Sequence, residues 1–331
     1  MVEAAPNGGP HGKTDSLVEY SRLLIERGSK SFAGAAKLFT PPVRASAYML
    51  YAWCRHCDDE IDGQELGFAS ARPDTRSPQA RLDELKHKTL RAMRGDASEP
   101  IFQALQRVVA EHRIPRRHPL ELLDGMAMDV DGRAYREIDD TLSYSYHVAG
   151  VVGVMMAMIM GVRDAATLHR ASDLGIAFQL TNIARDVIPD ARAGRVYLPG
   201  AWLADAGVEA APASVAEPVN RPAVSQVTRR LLDTADVYYA SAGHGLSHLP
   251  FRSAWAIAAA RRIYRDIGAV VRAKGDQAWD ERATVSRGRK LAGVALGAIA
   301  AANARTLGRL TEAPARPNLW TKPDLGDGSG Q

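Results

Sequence analysis

Two aspartate pairs in this chain share one spacing. Asp58 and Asp62 lie in Cys57-Asp58-Asp59-Glu60-Ile61-Asp62, and Asp186 and Asp190 lie in Asn182-Ile183-Ala184-Arg185-Asp186-Val187-Ile188-Pro189-Asp190. Residues four apart on a helix share a face, with Cβ atoms roughly 5–6 Å apart. Carboxylates that close raise each other's pKa unless a cation stands between them. Paired Mg²⁺ sites holding a diphosphate would suit this pattern, because Mg²⁺ is bound by a few carboxylates together with phosphate oxygens. Arg55 and Arg185 precede the two pairs, where a guanidinium fork can meet phosphate or, equally well, a neighbouring carboxylate. The bland alternative is two solvated helix faces. Against it stand the apolar runs Ala45 to Cys54 and Leu174 to Thr181, which lead into the aspartates and are too apolar for exposed helices. A carboxylate at the end of a buried helix needs a partner.

The elements that must carry these residues read almost throughout as helix. Periodic segments run from Ser16 to Ser29, Pro42 to Asp62, Ser77 to Arg94, Ile101 to His112, Pro119 to Asp131, Thr141 to Met160, Asp164 to Asp190, Ser225 to Ser241, Phe251 to Lys274 and Ser286 to Leu310. The expectation is one all-α domain over 16–310, with disordered tails over 1–15 and 311–331. Thr40-Pro41-Pro42 opens the helix of the first pair, since proline is tolerated in a first turn. Between Ala191 and Val224 the chain turns rich in Ala, Pro and Gly, which predicts a mobile loop that could act as a lid, with the stretch 204–224 an insertion.

Composition narrows the partners. With 46% hydrophobic residues and mean hydropathy −0.21 the chain can bury a substantial core as a soluble or peripheral protein. The apolar stretches Val148 to Val162 and Ala292 to Ala302 fall short of the roughly 20 residues that span a bilayer. Residues 1–14 lack the apolar segment of a signal peptide. A net charge of +4 fits an anionic substrate or lipid surface, and no basic run interleaved with aromatics argues for nucleic acid. Cys54 and Cys57 form a Cys-x-x-Cys on a helix with only His56 nearby, so reduced thiols are expected, consistent with a cytoplasmic protein.

Five ordered motifs resemble the squalene and phytoene synthases, which join two prenyl diphosphates head to head. They are Ser29-Lys30-Ser31-Phe32, Tyr51-Ala52-Trp53-Cys54-Arg55 leading to Asp58 and Asp62, Tyr144-Ser145-Tyr146-His147-Val148-Ala149-Gly150, Gln179 through Asp190, and Gly194-Arg195-Val196-Tyr197-Leu198-Pro199. The match spans roughly 16–310, and by whole-chain similarity it lies nearest the bacterial phytoene synthases. The resemblance implies a class I isoprenoid synthase bundle with a central apolar cavity. It further implies condensation of two geranylgeranyl diphosphates to phytoene through a cyclopropyl intermediate, with Mg²⁺ or Mn²⁺ and without NADPH.

On that resemblance Asp58, Asp62, Asn182, Asp186 and Asp190 hold metal. Ser29, Ser31, Phe32, Arg55, Tyr144, Gln179, Arg185, Arg195 and Tyr264 contact substrate, with Arg55 and Tyr144 also near the chemistry. Taken alone, Tyr144 and Tyr264 read as buried core tyrosines, and Ser31 and Phe32 as a cap and a core residue. His56 and His147 read as structural. Val148 to Gly153 supplies small residues that either leave room for two long chains or let helices pack closely. The basic start and apolar run of the last helix, from Ser286, reads as a closing helix of the bundle, with contact to an anionic membrane as the alternative. Two other functions compete: a squalene or dehydrosqualene synthase acting on farnesyl diphosphate, and a non-catalytic lipid-binding or assembly factor, which would be expected to have lost the carboxylates. Oligomeric state is left open.

Overall fold

The computed structural model describes residues 15–28, 34–65, 68–69, 75–306, 308, 313–316 and 318–322. Ser29, Ser31 and Phe32 lie outside them. Thirteen α-helices appear among the described residues: α1 (Ser16–Gly28), α2 (Pro41–Asp62), α3 (Pro78–Met93), α4 (Pro100–His112), α5 (Arg117–Val130), α6 (Ile138–Ser145), α7 (Val151–Ile159), α8 (Ala165–Arg192), α9 (Gly200–Asp205), α10 (Pro212–Ala216), α11 (Arg221–Gly243), α12 (Phe251–Lys274) and α13 (Arg287–Thr306). The only strands described are β1 (Gln64–Glu65) and β2 (Phe68–Ala69), a two-residue antiparallel pair. The fold is an all-α bundle, as the periodicity predicts.

The two long helices that carry the aspartates are punctuated by local chemistry. Helix α2 has proline in its first turn and ends where Gly63 takes a left-handed conformation (φ 63°), its N–H bonded to the Asp59 carbonyl. Helix α8 is capped by Asp164, whose carboxylate accepts from the Thr167 N–H at 2.8 Å. Inside it Pro189 cannot donate and its ring crowds the carbonyl four residues back; the helix kinks, with Asp186 at φ −109° and ψ 15°. That kink re-aims the second aspartate pair.

Around α8 pack α11, α12 and α7. Segments α6 and α7 are joined through a π turn at Tyr146–Gly150 into one continuous helix from Ile138 to Ile159. At 22 residues this helix is long and apolar enough to cross a bilayer, longer than the stretch expected from sequence; 67% of its most apolar window is nevertheless buried within the bundle. The small residues at the centre serve both of the roles left open above, close helix packing and a cavity wall. A Cβ at Gly153 would lie 2.3 Å from the Ala171 carbonyl oxygen, and one at Gly175 would lie 2.2 Å from that of Ala149. Ala149 and Val152 meanwhile face a cavity.

Two expectations fail. The predicted loop over 191–224 is instead helix-rich and anchored: Leu198, Trp202, Leu203, Val208, Val215 and Val224 are buried, and the N–H groups of Gly200 and Ala201 donate to the carbonyls of Tyr135 and Arg136 at 2.9 Å each. Its proline and glycine mark the starts and ends of short helices, while most of its large apolar residues turn inward, Val219 excepted. The expected C-terminal tail is docked where it is described. Arg316 pairs with Asp173 at 2.5 Å, Lys322 with Glu121 at 2.7 Å, and the Trp320 ring lies 5.4 Å from that of Tyr146. Asp173 and Glu121 are buried acids on core helices, so the tail supplies cations the bundle lacks.

Candidate active site

Asp58 at the end of α2, and Gln179 and Asn182 on α8, line one end of a cavity of about 350 Å³ whose remaining wall is mostly apolar, including Val152, Met156, Met160 and Leu249. Tyr264 joins the wall from α12, stacked on Phe178 with centroids 4.2 Å apart. The Asn182 amide donates to the Gln179 side-chain oxygen at 3.4 Å.

Negative charge gathers at this polar end. Asp58 is open to the cleft on one side and enclosed by protein on the others. That enclosure raises its carboxyl to about 7, with Arg55 opposing and Asp62, Asp59 and Asp129 reinforcing. Burial likewise raises Asp190 to about 7, reinforced by Asp186 and opposed by Arg195 and Arg185. Both aspartate pairs therefore feel Asp129, which stands electrostatically between them.

Each of the three arginines meets a carboxylate. Arg55 pairs with Asp59 on its own helix, and its Nε is a buried donor without a partner among the described residues. Arg185 meets Asp186 at 2.5 Å, and Arg195 meets Asp62 at 2.6 Å, tying the segment after α8 to the end of α2. Both readings of the arginines thus survive, since a guanidinium with spare N–H groups can hold a carboxylate and a phosphate together.

Three functional candidates escape the sequence reading. Asp129 on α5 accepts from the Tyr144 and Tyr197 hydroxyls, each at 2.8 Å. Tyr197 stacks on Tyr144, centroids 4.8 Å apart, and supplies the second of those bonds. Arg282 reaches Asp186 at 3.5 Å from the chain after α12. Asp129 did carry a signal: it stands in register with Gly125 and Met126 on the buried stripe of α5, where a carboxylate is out of place. Tyr144 is accordingly more than a core tyrosine, because its hydroxyl holds a carboxylate facing the cluster. Burial pushes its phenol well up, so it stays a donor.

The remaining tempting residues make structural contacts. His147 Nδ1 bonds the Ser143 carbonyl at 2.7 Å, and His56 packs edge-on against Phe102. Both cysteines are free, and burial raises both thiols.

Among the described residues no three His, Cys, Asp or Glu side chains converge tightly enough to hold a metal unaided. The donor set is oxygen only, partly met by arginines and split between two helices. It suits a hard divalent cation that completes its shell with phosphate oxygens rather than with a protein cage.

Comparison with known proteins finds relatives over most of the chain. A 15-cis-phytoene synthase of Enterobacter agglomerans is 53% identical over 299 residues, covering 90% of this chain and all of the relative. One from a Paracoccus species is 52% identical over 309 residues, covering 93% and 98%. Among solved structures, a dehydrosqualene synthase with ligand superposes with a TM-score of 0.75 at 28% identity, covering 85% of this chain and 95% of that one. A squalene synthase of Alicyclobacillus acidocaldarius, at 24% identity and a TM-score of 0.69 over 78% of this chain and 94% of its own, shares the fold. The sequence profile of squalene/phytoene synthases matches residues 25–289, and with such relatives over nearly its whole length the chain belongs to the squalene/phytoene synthase family.

Proposed function

We infer that this protein is a phytoene synthase, a prenyltransferase that condenses two geranylgeranyl diphosphates head to head. What supports the reading is Asp58 on the wall of one largely apolar cavity, with Asp62 tied by Arg195 to the segment that follows the second aspartate pair, in a chain about half identical to named phytoene synthases. Prenyltransferases of this family generally require a divalent metal. We assign Mg²⁺, with Mn²⁺ as its substitute, to Asp58, Asp62, Asn182, Asp186 and Asp190. When bound it supplies a Lewis acid that takes up the charge of a departing diphosphate.

The rest falls to the chain's own residues. Arg55, Arg185 and Arg195 bind diphosphate oxygens beside the carboxylates. Tyr144 and Tyr197 fix Asp129, which adds to the negative field favouring cations at this end of the cavity. Gln179 orients Asn182. The apolar wall keeps water from an allylic cation, and Tyr264 and Phe178 present ring faces that favour positive charge. Ser29, Ser31 and Phe32 stay assigned to substrate on the resemblance alone. Contact with an anionic membrane would serve an insoluble product. Leu291, Leu296 and Ile299 on α13 are exposed large apolar side chains next to Arg287 and Arg289, and they are the surface we assign to it.

The test is incubation of purified protein with geranylgeranyl or farnesyl diphosphate, with Mg²⁺ and without NADPH, and chromatography of the extracted hydrocarbon. A C40 product from the longer substrate, abolished by chelator, is expected. A C30 product formed only from farnesyl diphosphate would transfer the assignment to the dehydrosqualene branch represented by the 28% identical structure.

A further inference from the structure

A cationic groove lies on the other side of α12. Between α11 and α12 a groove of about 400 Å³ is floored by Leu232, Tyr239 and Gly268 and edged by Arg261, Arg262, Arg265 and Arg272. Residues 261, 265, 268 and 272 fall on one helical stripe, which turns the guanidinium of Arg265 and its neighbours toward the same space. Gly268 keeps the floor low, since a Cβ there would meet the Leu232 side chain at 3.0 Å. The Tyr239 hydroxyl is already satisfied by Thr181 at 2.9 Å.

The groove's charges do not balance. Asp236 is shared by Arg265 at 2.7 Å and Arg272 at 3.1 Å, and Arg272 also meets Asp233 at 2.6 Å. Neither Arg261 nor Arg262 has an ion pair among the described residues; Asp266, the other carboxylate in the groove, stands one turn beyond Arg262 on the same helix face. Arg261 is partly buried, its Nε donating to the Tyr239 carbonyl at 2.7 Å and its head lying over Gly243. A partly desolvated guanidinium with spare donors, a second beside it and open volume in front is the arrangement that takes a phosphate oxygen bidentately.

We propose that this groove is a second binding site, distinct from the aspartate cavity, for a phosphate-bearing anion held by Arg261 and Arg262. The chemistry serves two sources alike, free diphosphate and the phosphate of an anionic lipid headgroup. Unlike the aspartate site it needs no metal, because its charge is already positive.

That difference supplies the test. Full-length protein is titrated calorimetrically with inorganic diphosphate in excess chelator, where the aspartate cluster repels the anion, and separately is sedimented with phosphatidylglycerol or phosphatidylcholine vesicles. The same is done with R261Q, R262Q, the double variant, and R261K, which keeps the charge and the fold if the glutamine variant does not. Saturable binding of diphosphate, or binding selective for phosphatidylglycerol, that the double variant weakens roughly tenfold or more is expected; whichever probe binds names the source. Binding of neither probe, or binding unchanged in a folded Arg262 variant and in the double variant, overturns the proposal.

Discussion

Replacing Gly175 by alanine tests the helix crossing on which the site depends. The added Cβ would stand 2.2 Å from the Ala149 carbonyl oxygen and 2.7 Å from the Gly150 Cα, against 3.4 Å or more for ordinary contact. Both obstacles are backbone, so no rotamer can relieve them; α8 and the π turn must part by about 1 Å. Overpacking of this kind costs about 1–3 kcal/mol, and a backbone clash belongs at the top of that range. Alanine returns about 1 kcal/mol of helix propensity, leaving a net loss of about 2 kcal/mol and a melting temperature lower by on the order of 5 °C. Activity should suffer more than stability. Gln179 and Asn182 follow one and two turns along the same helix, and misplacement by about 1 Å costs on the order of 100-fold in rate. Gly288 is the control: nothing lies within 4 Å of its added Cβ in the first turn of α13, so alanine there should be neutral or stabilising by up to about 1 kcal/mol. Thermal melts and phytoene formation measured on both variants decide it. A Gly175 variant with the melting point and turnover of the parent would refute the close approach, and with it the view that α8 is positioned by backbone contact.

Four further outcomes are expected. Asp58→Asn and Asp186→Asn should each lower metal-dependent turnover by on the order of 100-fold or more with the melting point unchanged or raised, because removing one carboxylate of a repelling cluster does not harm the fold; retained turnover in either would remove it from the ligand set. Metal affinity, followed by calorimetry, should tighten as pH rises through about 7, where Asp58 and Asp190 lose their protons, and a flat profile would contradict their raised values. Arg316→Ala should cost about 3–5 kcal/mol by stranding Asp173, which is fully buried; a melting point within about 2 °C of the parent would show that the tail is not needed there. At Glu121 burial would raise the carboxyl, but hydrogen bonds from His118, Lys322 and Tyr146 outweigh it and hold it at about 2, below the ordinary 4.5. The stability it contributes is present above pH 4.5 and lost as pH falls toward about 2, so Glu121→Gln should flatten that limb of the acid-unfolding curve.

What could be read in the chain was whatever repeats at helical period. The aspartate pairs, their apolar lead-in runs and the start of α2 at Thr40-Pro41-Pro42 are local patterns, and local patterns survive folding. The stretch 191–224 misled because Pro and Gly were taken as signs of looseness, when Pro199 and Pro212 start short helices and Leu198, Trp202 and Val215 bury themselves one at a time without any period to announce them. The docked tail misled for the opposite reason. Its composition is that of a disordered segment, but Arg316 and Lys322 answer acids some 143 and 201 residues away, and no window along the chain contains both members of either pair. Arg282 was illegible on the same ground.

Asp129 is the case between these extremes, and it shows how the site is assembled. Its position on the apolar stripe of α5 marks it as a buried acid, yet its meaning depends on Tyr144 and Tyr197, which come from two other parts of the chain. Tyr197 belongs to the anchored segment after α8, as does Arg195, which bridges to Asp62 at the end of α2. Thr141, on the same helix as Tyr144, in turn donates to the Tyr197 carbonyl at 2.9 Å. The segment expected to be a mobile lid is therefore the fixture that joins the two aspartate helices. Its rigidity follows from buried apolar side chains and from hydrogen bonds donated by buried groups, both of which oppose opening. Loosening it would separate Arg195 from Asp62 and Tyr197 from Asp129 in one motion, so the two aspartate pairs are held in register by the part of the chain whose composition least suggests order.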